Sequence, residues 1–379
     1  MKVAVVTSFP ADLEAPRGGV EAVSANLVRA LARFDDLDVH VVTASRSCRT
    51  ATTQSWDRVT LHRLPWAGGS MLRNATGPGR RQMQNYLHHL KPDVVHAHDT
   101  YGLMVEGLPI PRVFTIHGFI HGDTLVSGER FARLRSWIWR RIETAGWADQ
   151  PHIISITPYV RERLRGIATG VIHDIDNPIA ERFFDIARAE DKATIFSAAV
   201  VTPRKNTLAL VDAVAELAAN GIDCSLRLAG SLEDGGYVQQ VRERIRRHGL
   251  EDRAILLGRI DTEQVRRELA VASVFALVSL EENSPMGIEE AMAAGVPVVT
   301  SNRCGMPYMV RDGESGFLVD PHDPHDIARR LRQLLENGEL RRSMGAKGRE
   351  IALDRFHPAK VAARTREVYM QAIEGFHQA

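Results

Sequence analysis

At 379 residues the chain is long enough for two domains with full-sized cores. Its 48 Lys+Arg against 47 Asp+Glu leave a net charge of +1, which excludes a strong general attraction to nucleic acid. Cys48, Cys224 and Cys304 stand far apart, with no Cys-x-x-Cys or Cys/His ligand spacing, so the simplest expectation is a reduced, cytoplasmic protein without a structural metal.

Met1-Lys2-Val3-Ala4-Val5-Val6 meets polar Thr7-Ser8 too early for a signal peptide and reads as a buried first strand. No apolar run is long enough to span a bilayer, so the chain is expected to be soluble or at most attached to a membrane surface. In the first half, strands are predicted at Val3–Thr7, Val39–Thr43, Val59–Arg63, Val94–Ala97, Val113–His117 and Ile153–Thr157. Helices are predicted at Val20–Arg33, Arg80–Leu90, Arg130–Ala145 and Tyr159–Arg165. The second half repeats the alternation. Strands fall at Ile195–Val201, Ser225–Ala229, Ala254–Gly258, Val274–Ser279, Val296–Thr300 and Gly316–Val319, with helices at Thr207–Asn220, Tyr237–His248, Thr262–Ala270 and Glu289–Ala294. The mixed, charged segment Phe183–Lys192 reads as an inter-domain linker, and His357–Phe376 as a final helix. Such alternation gives parallel sheets covered by helices, which bind ligands beyond the carboxyl ends of their strands.

Four segments carry candidate chemistry. Gly18-Gly19, after the first strand, opens a helix and lets backbone amides approach a ligand. His117, in Thr115-Ile116-His117-Gly118, sits at a strand end; His96 and His98 lie in Val94-Val95-His96-Ala97-His98-Asp99, with His96 expected to face the interior or a helix. Arg204-Lys205 precedes a helix, where a guanidinium fork and a point charge suit a diphosphate. The richest segment is Glu282-Asn283-Ser284-Pro285-Met286-Gly287-Ile288-Glu289-Glu290. Ser284 is a good N-cap and Pro285 fits the first helical position, leaving amides aimed at an anion between two carboxylates. The helix Arg130–Trp147 carries Phe131, Leu134, Ile138 and Ile142 on one face, which predicts packing against its domain. Its arginines and Trp137 or Trp139 are then free to meet an anionic membrane or a lipid-linked acceptor. A merely solvated arginine face is the plainer alternative.

Glu282 and Glu290 resemble the Glu-x7-Glu signature of the retaining glycosyltransferases of family 4, and the resemblance extends over nearly the whole chain. It implies the GT-B fold: α/β, two Rossmann-like doubly wound parallel-sheet domains facing a deep inter-domain cleft. Residues 1–182 would form the acceptor-side domain, with the last helix, 357–379, crossing back onto it; residues 183–356 would bind the nucleotide-sugar. The implied activity is transfer of a sugar from a UDP- or GDP-linked donor to a hydroxyl of a glycan, lipid-linked or small-molecule acceptor, with no metal and no other cofactor. On this resemblance Gly19 lies against the donor diphosphate and Lys205 neutralises it; the family's arginine falls on Val200, and Arg204, with its long side chain, is the candidate substitute. Backbone near Arg259 and Ile260 reads the base edge. The segment Ser284, Met286, Gly287 and Ile288 holds phosphate. Glu282 holds a sugar hydroxyl and Glu290 the ribose, while His117 sits near the reacting carbon. His98, His121 and Asp123 are acceptor-side candidates. Acceptor choice would fall to loops at Ser45–Gln54, Trp66–Arg81 and Gly118–Gly128. The chain departs from the family where Ala199-Val200 replaces a Gly-Arg pair, where Pro285 removes an amide, and where Tyr308 replaces an acid. A sugar-nucleotide epimerase or hydrolase of the same fold, and a degenerate carbohydrate-binding protein, are the alternatives.

Overall fold

The computed structural model describes all residues except 13–15, 17, 127–129, 191–192, 233–234 and 379. Arg17, Gly128 and the end of the expected linker therefore lie outside the described residues. The chain divides into two compact units. The first comprises Met1–Phe119, Ile138–Ile179 and His357–Ala379; the second comprises Ile120–Trp137 and Ala180–Phe356.

The first unit is built on eight strands: β1 (Lys2–Val6), β2 (Asp38–Ser45), β3 (Thr52–Trp56), β4 (Val59–Pro65), β5 (Val94–His98), β6 (Arg112–Ile116), β7 (His152–Ser155) and β8 (Val171–Asp174). They pair in the order β3-β4-β2-β1-β5-β6-β7-β8. Every pairing is parallel except that of β3 with β4. Val3 and Val5 point to one face, against the helices Gly19–Leu31 and Pro358–Gln378; Ala4 and Val6 point to the other. The period of two thus loads both faces with apolar side chains, as a sheet covered on both sides requires. Strand order turns around between β1 and β5, so the gap beyond their carboxyl ends is the place where such a sheet binds ligands.

The second unit holds β9 (Thr194–Ala198), β10 (Ser225–Ala229), β11 (Ala254–Gly258), β12 (Val274–Leu277), β13 (Val298–Ser301) and β14 (Gly316–Val319). All pair in parallel in the order β11-β10-β9-β12-β13-β14, which puts the turnaround between β9 and β12. Gly230, at the end of β10, has φ +151°, and a Cβ there would stand 1.9 Å from the Ala199 carbonyl oxygen. Only glycine lets that strand end close on the one beside it.

Several expectations need correction. Ser284 is not the N-cap of its helix. Pro285 is, with φ −69° and ψ 119°, and the helix runs Met286–Ala293. The Ser284 hydroxyl instead donates to Glu289 Oε1 at 2.6 Å, a partner that competes with the backbone amides. Phe131, Leu134 and Ile138 do not pack: they are 72%, 58% and 37% exposed. Among the described residues, the distal part of the helix Ala132–Ala148 joins a core through Ile142 and Trp147. The stretch Ser45–Gln54 runs into β3, Trp66–Arg81 contains the helix Met71–Thr76, and Gly118–Val126 contains the helix Ile120–Val126.

Candidate active site

In the second unit the site forms where β9 and β12 end. After β9 the chain makes a 3-10 turn, Pro203–Lys205, closed by Asn206 with φ 56°. The Asn206 side-chain amide donates to the Val278 carbonyl at 3.2 Å and the Pro321 carbonyl at 2.6 Å, which fixes the turn in place. The turn is joined to the loop after β12 by the Leu280 amide, donating to the Arg204 carbonyl at 2.8 Å. Two cations and a carboxylate therefore converge. Arg204 Nη1 donates to Glu282 Oε1 at 2.6 Å and to the Glu281 carbonyl at 2.9 Å, and Lys205 Nζ pairs with the same Glu282 oxygen. The Lys205 and Glu282 side chains are 13% and 11% exposed. Burial lowers the Lys205 ammonium below its ordinary range, opposed by Glu282. One oxygen of Glu282 thus serves both cations, and an incoming anion competes with it for them.

The Gly305 amide donates to the Glu282 carbonyl at 2.9 Å, and a Cβ on Gly305 would meet the Asn283 carbonyl oxygen at 1.7 Å. This contact pins the loop that presents Glu282. Met286, Gly287 and Ile288 form the first turn of the following helix, at the positive end of its dipole. Glu290 lies in its second turn, where burial pushes its carboxyl up to about 8 against the opposing charge of Arg182. Arg259 and Ile260 follow β11; Arg259 is exposed and Ile260 partly so. Asp123, on Ile120–Val126, stands 3.4 Å from Arg204 Nη1. His121, on the same helix, is buried, and its carbonyl accepts from the Ser136 hydroxyl at 2.7 Å.

In the first unit, Gly19 begins the helix after β1, with Gly18 as an extended N-cap. His117 follows β6. Its Nε2 shares a hydrogen bond of 2.8 Å with His98 Nδ1, and its backbone amide donates to Asp99 Oδ1 at 2.7 Å. Burial lowers the His117 imidazole, while Asp99 and a hydrogen bond to Asn177 oppose that. His98 is 1% exposed and lies behind His117. Burial and the neighbouring His96 and His117 push its pKa well down. His96 is interior, held between the Tyr369 hydroxyl and Thr115 Oγ1, both at 2.7 Å. Burial lowers it to about 3, so it is a neutral ring whose two nitrogens are both matched. A small cavity opens beside His98, His117, Asn177 and Thr365. The structure thus groups Arg204, Lys205, Glu282 and Asp123 in one unit, and His98 and His117 in the other. The sequence reading missed Asp99 and Glu281. Asp99 had a signal, an acid directly after a strand-end histidine; Glu281 had none beyond its neighbour.

Two family models account for the chain almost end to end: Glycosyltransferase Family 4 over residues 17–181 and Glycosyl transferases group 1 over residues 178–351. The chain belongs to the family 4 glycosyltransferases. It is an enzyme that uses a sugar-nucleotide donor. Among its relatives is the uncharacterized glycosyltransferase MJ1178 of Methanocaldococcus jannaschii, 24% identical over 371 residues, covering 93% of this chain and 94% of that one. Among solved structures, sucrose-phosphate synthase from Thermosynechococcus elongatus superposes with a TM-score of 0.84 at 20% identity, covering 99% of both chains. Anabaena HepE in complex with UDP-glucose gives 0.74 at 16% identity, covering 98% of this chain and 100% of that one. These likenesses establish the GT-B fold for this glycosyltransferase.

Proposed function

We propose that this enzyme is a retaining, metal-independent transferase that moves a hexose from a UDP- or GDP-linked donor to a hydroxyl of a glycan or lipid-linked acceptor. The observation that carries the reading is the convergence of Arg204 and Lys205 on Glu282 beside the helix that starts at Met286. Cations and amides placed there stabilise the charge that develops on a departing diphosphate, the work otherwise given to a divalent metal. In this reading Glu282 turns from its cations to a sugar hydroxyl when donor enters, Glu290 holds the ribose, and Gly19 and His117 serve from the first unit. HepE, which shares the fold, binds UDP-glucose, and this favours a UDP donor.

A lipid-linked acceptor at a membrane surface is favoured by Leu125, Phe131, Leu134 and Trp137, which are 53%, 72%, 58% and 56% exposed. Arg130, Arg133, Arg135, Arg140 and Arg141 are exposed among and beside them. Apolar side chains among arginines suit an anionic bilayer interface. Among the described residues, no helix is long and apolar enough to cross a membrane.

Two measurements test this reading. Incubation with UDP- and GDP-hexoses and candidate acceptors, in EDTA, followed by NMR of the product's anomeric proton, should show the donor's own configuration. An inverted product, or turnover that appears only on adding a divalent metal, refutes it. For the membrane contact, sedimentation with phosphatidylglycerol vesicles should carry the protein down and zwitterionic vesicles should not; equal recovery from both refutes the anionic surface.

A further inference from the structure

The segment 120–137 belongs to the second unit, whereas Phe119 before it and Ile138 after it belong to the first. Its helix Ile120–Val126 packs against the 3-10 turn Pro203–Lys205 and brings a carboxylate to the phosphate clamp, with Asp123 Oδ1 3.4 Å from Arg204 Nη1. Ser136, bonded to the His121 carbonyl, ties the two ends of the segment together. Arg204 is thus shared between Glu282 and Asp123. Donor phosphate and the Asp123 carboxylate seek the same guanidinium, and an anion already on Arg204 must be displaced before another gains its full pairing. We propose that Asp123 holds Arg204 in the absence of donor, that the donor diphosphate displaces it, and that Asp123 thereby sets the affinity of the phosphate site. This rests on the reading of Arg204 and Lys205 as the diphosphate clamp.

Asp123 faces Arg204 and Lys205 on the turn and Glu281 and Glu282 on the loop after β12. Burial pushes its carboxyl up to about 6; Arg204 and Lys205 oppose this, and Glu282 and Glu281 add to it. Its side chain is still 47% exposed, so the pair with Arg204 is of the modest, solvent-screened kind. The competition is fully present well above pH 6 and fades as Asp123 gains its proton below it.

The test measures Kd for UDP, GDP and pyrophosphate by calorimetry, with wild type and Asp123→Asn at pH 7.5 and 5.5. Thermal melts of both proteins check that the variant folds. At pH 7.5 the variant should bind about two- to five-fold tighter, the range expected for releasing one exposed ion pair. At pH 5.5 the two proteins should agree. Comparing wild type with variant at each pH cancels the titration of the ligand itself. Equal affinity at pH 7.5, or weaker binding by the variant, overturns the inference while leaving the clamp intact. Failure of wild type to bind any of the three overturns the clamp, and the inference with it.

Discussion

The carboxyl of Glu290 makes a quantitative test of the nucleotide site. Burial raises it to about 8, against a usual 4.5. The fold therefore favours the neutral acid, and between those two pH values the native chain carries a proton that the unfolded chain has lost. The stability tied to this group is present at low pH and declines as pH rises through the window. From pH 7 to 9 the native titration is crossed almost completely, and one proton over that span is worth about 1.4 kcal/mol. Glu290→Gln keeps the size and neutrality of the side chain but has nothing to titrate. For a unit of this size, wild type should lose about 3–6 °C more melting temperature between pH 7 and 9 than the variant. Differential scanning calorimetry of both proteins at both pH values measures it, and groups common to both cancel. If the two proteins lose the same number of degrees, Glu290 is not held neutral. The same variant tests the ribose contact. At pH 7 a neutral Glu290 and a Gln are near equivalents, so Glu290→Gln should keep its nucleotide affinity while Glu290→Ala loses it. Equal losses would remove the contact.

Three further outcomes follow from the geometry. Glu282→Ala should lower kcat by about 10²–10³, and it should also lower the melting temperature, because it leaves the nearly buried Lys205 without its carboxylate; unchanged kcat removes its role. Gly305→Ala must push the added methyl away from the Asn283 carbonyl, so steady-state kinetics should show Glu282 displaced as a loss of activity larger than any change in nucleotide Kd; wild-type kinetics would show that the loop yields freely. Tyr369→Phe leaves His96 Nδ1 buried without its hydroxyl partner, at a cost of about 1–3 kcal/mol read by thermal or denaturant unfolding. Its UDP affinity should stay at the wild-type value.

The strands were legible because a buried parallel strand is a short, nearly unbroken apolar run: Val3–Val6 and Val274–Leu277 announce themselves. β3 did not, since Thr52-Thr53-Gln54-Ser55-Trp56 is an exposed edge strand with no apolar period. The helices Pro324–Glu336 and Gly338–Arg355 went unread although Asp323 and Asn337 cap them with side-chain oxygens; the first carries a plain stripe of Ile327, Leu331 and Leu334, whereas the second buries small residues such as Gly345, Gly348 and Ala352, which leave little apolar period. The convergence of Arg204, Lys205 and Glu282 could be anticipated because they follow strand ends where the topology turns around. Two features lay beyond a local reading. Which side chain Ser284 would bond depended on Glu289 being fully buried, and the exposure of Phe131 and Leu134 depended on how far the core reached along their helix.

The return of residues 357–379 to the first unit bears on how the chain is made. Tyr369, fully buried there against His96, emerges from the ribosome only after the whole second unit has been synthesised. At about 5–20 residues per second, the first unit waits roughly 10–35 s for its last helix, with the apolar face around Val28 and Leu31 uncovered. The second unit, once residue 356 is out, has nearly everything it needs. Vectorial synthesis thus inverts the usual order: the half that is begun first is completed last, and it is the half exposed longest to chaperones.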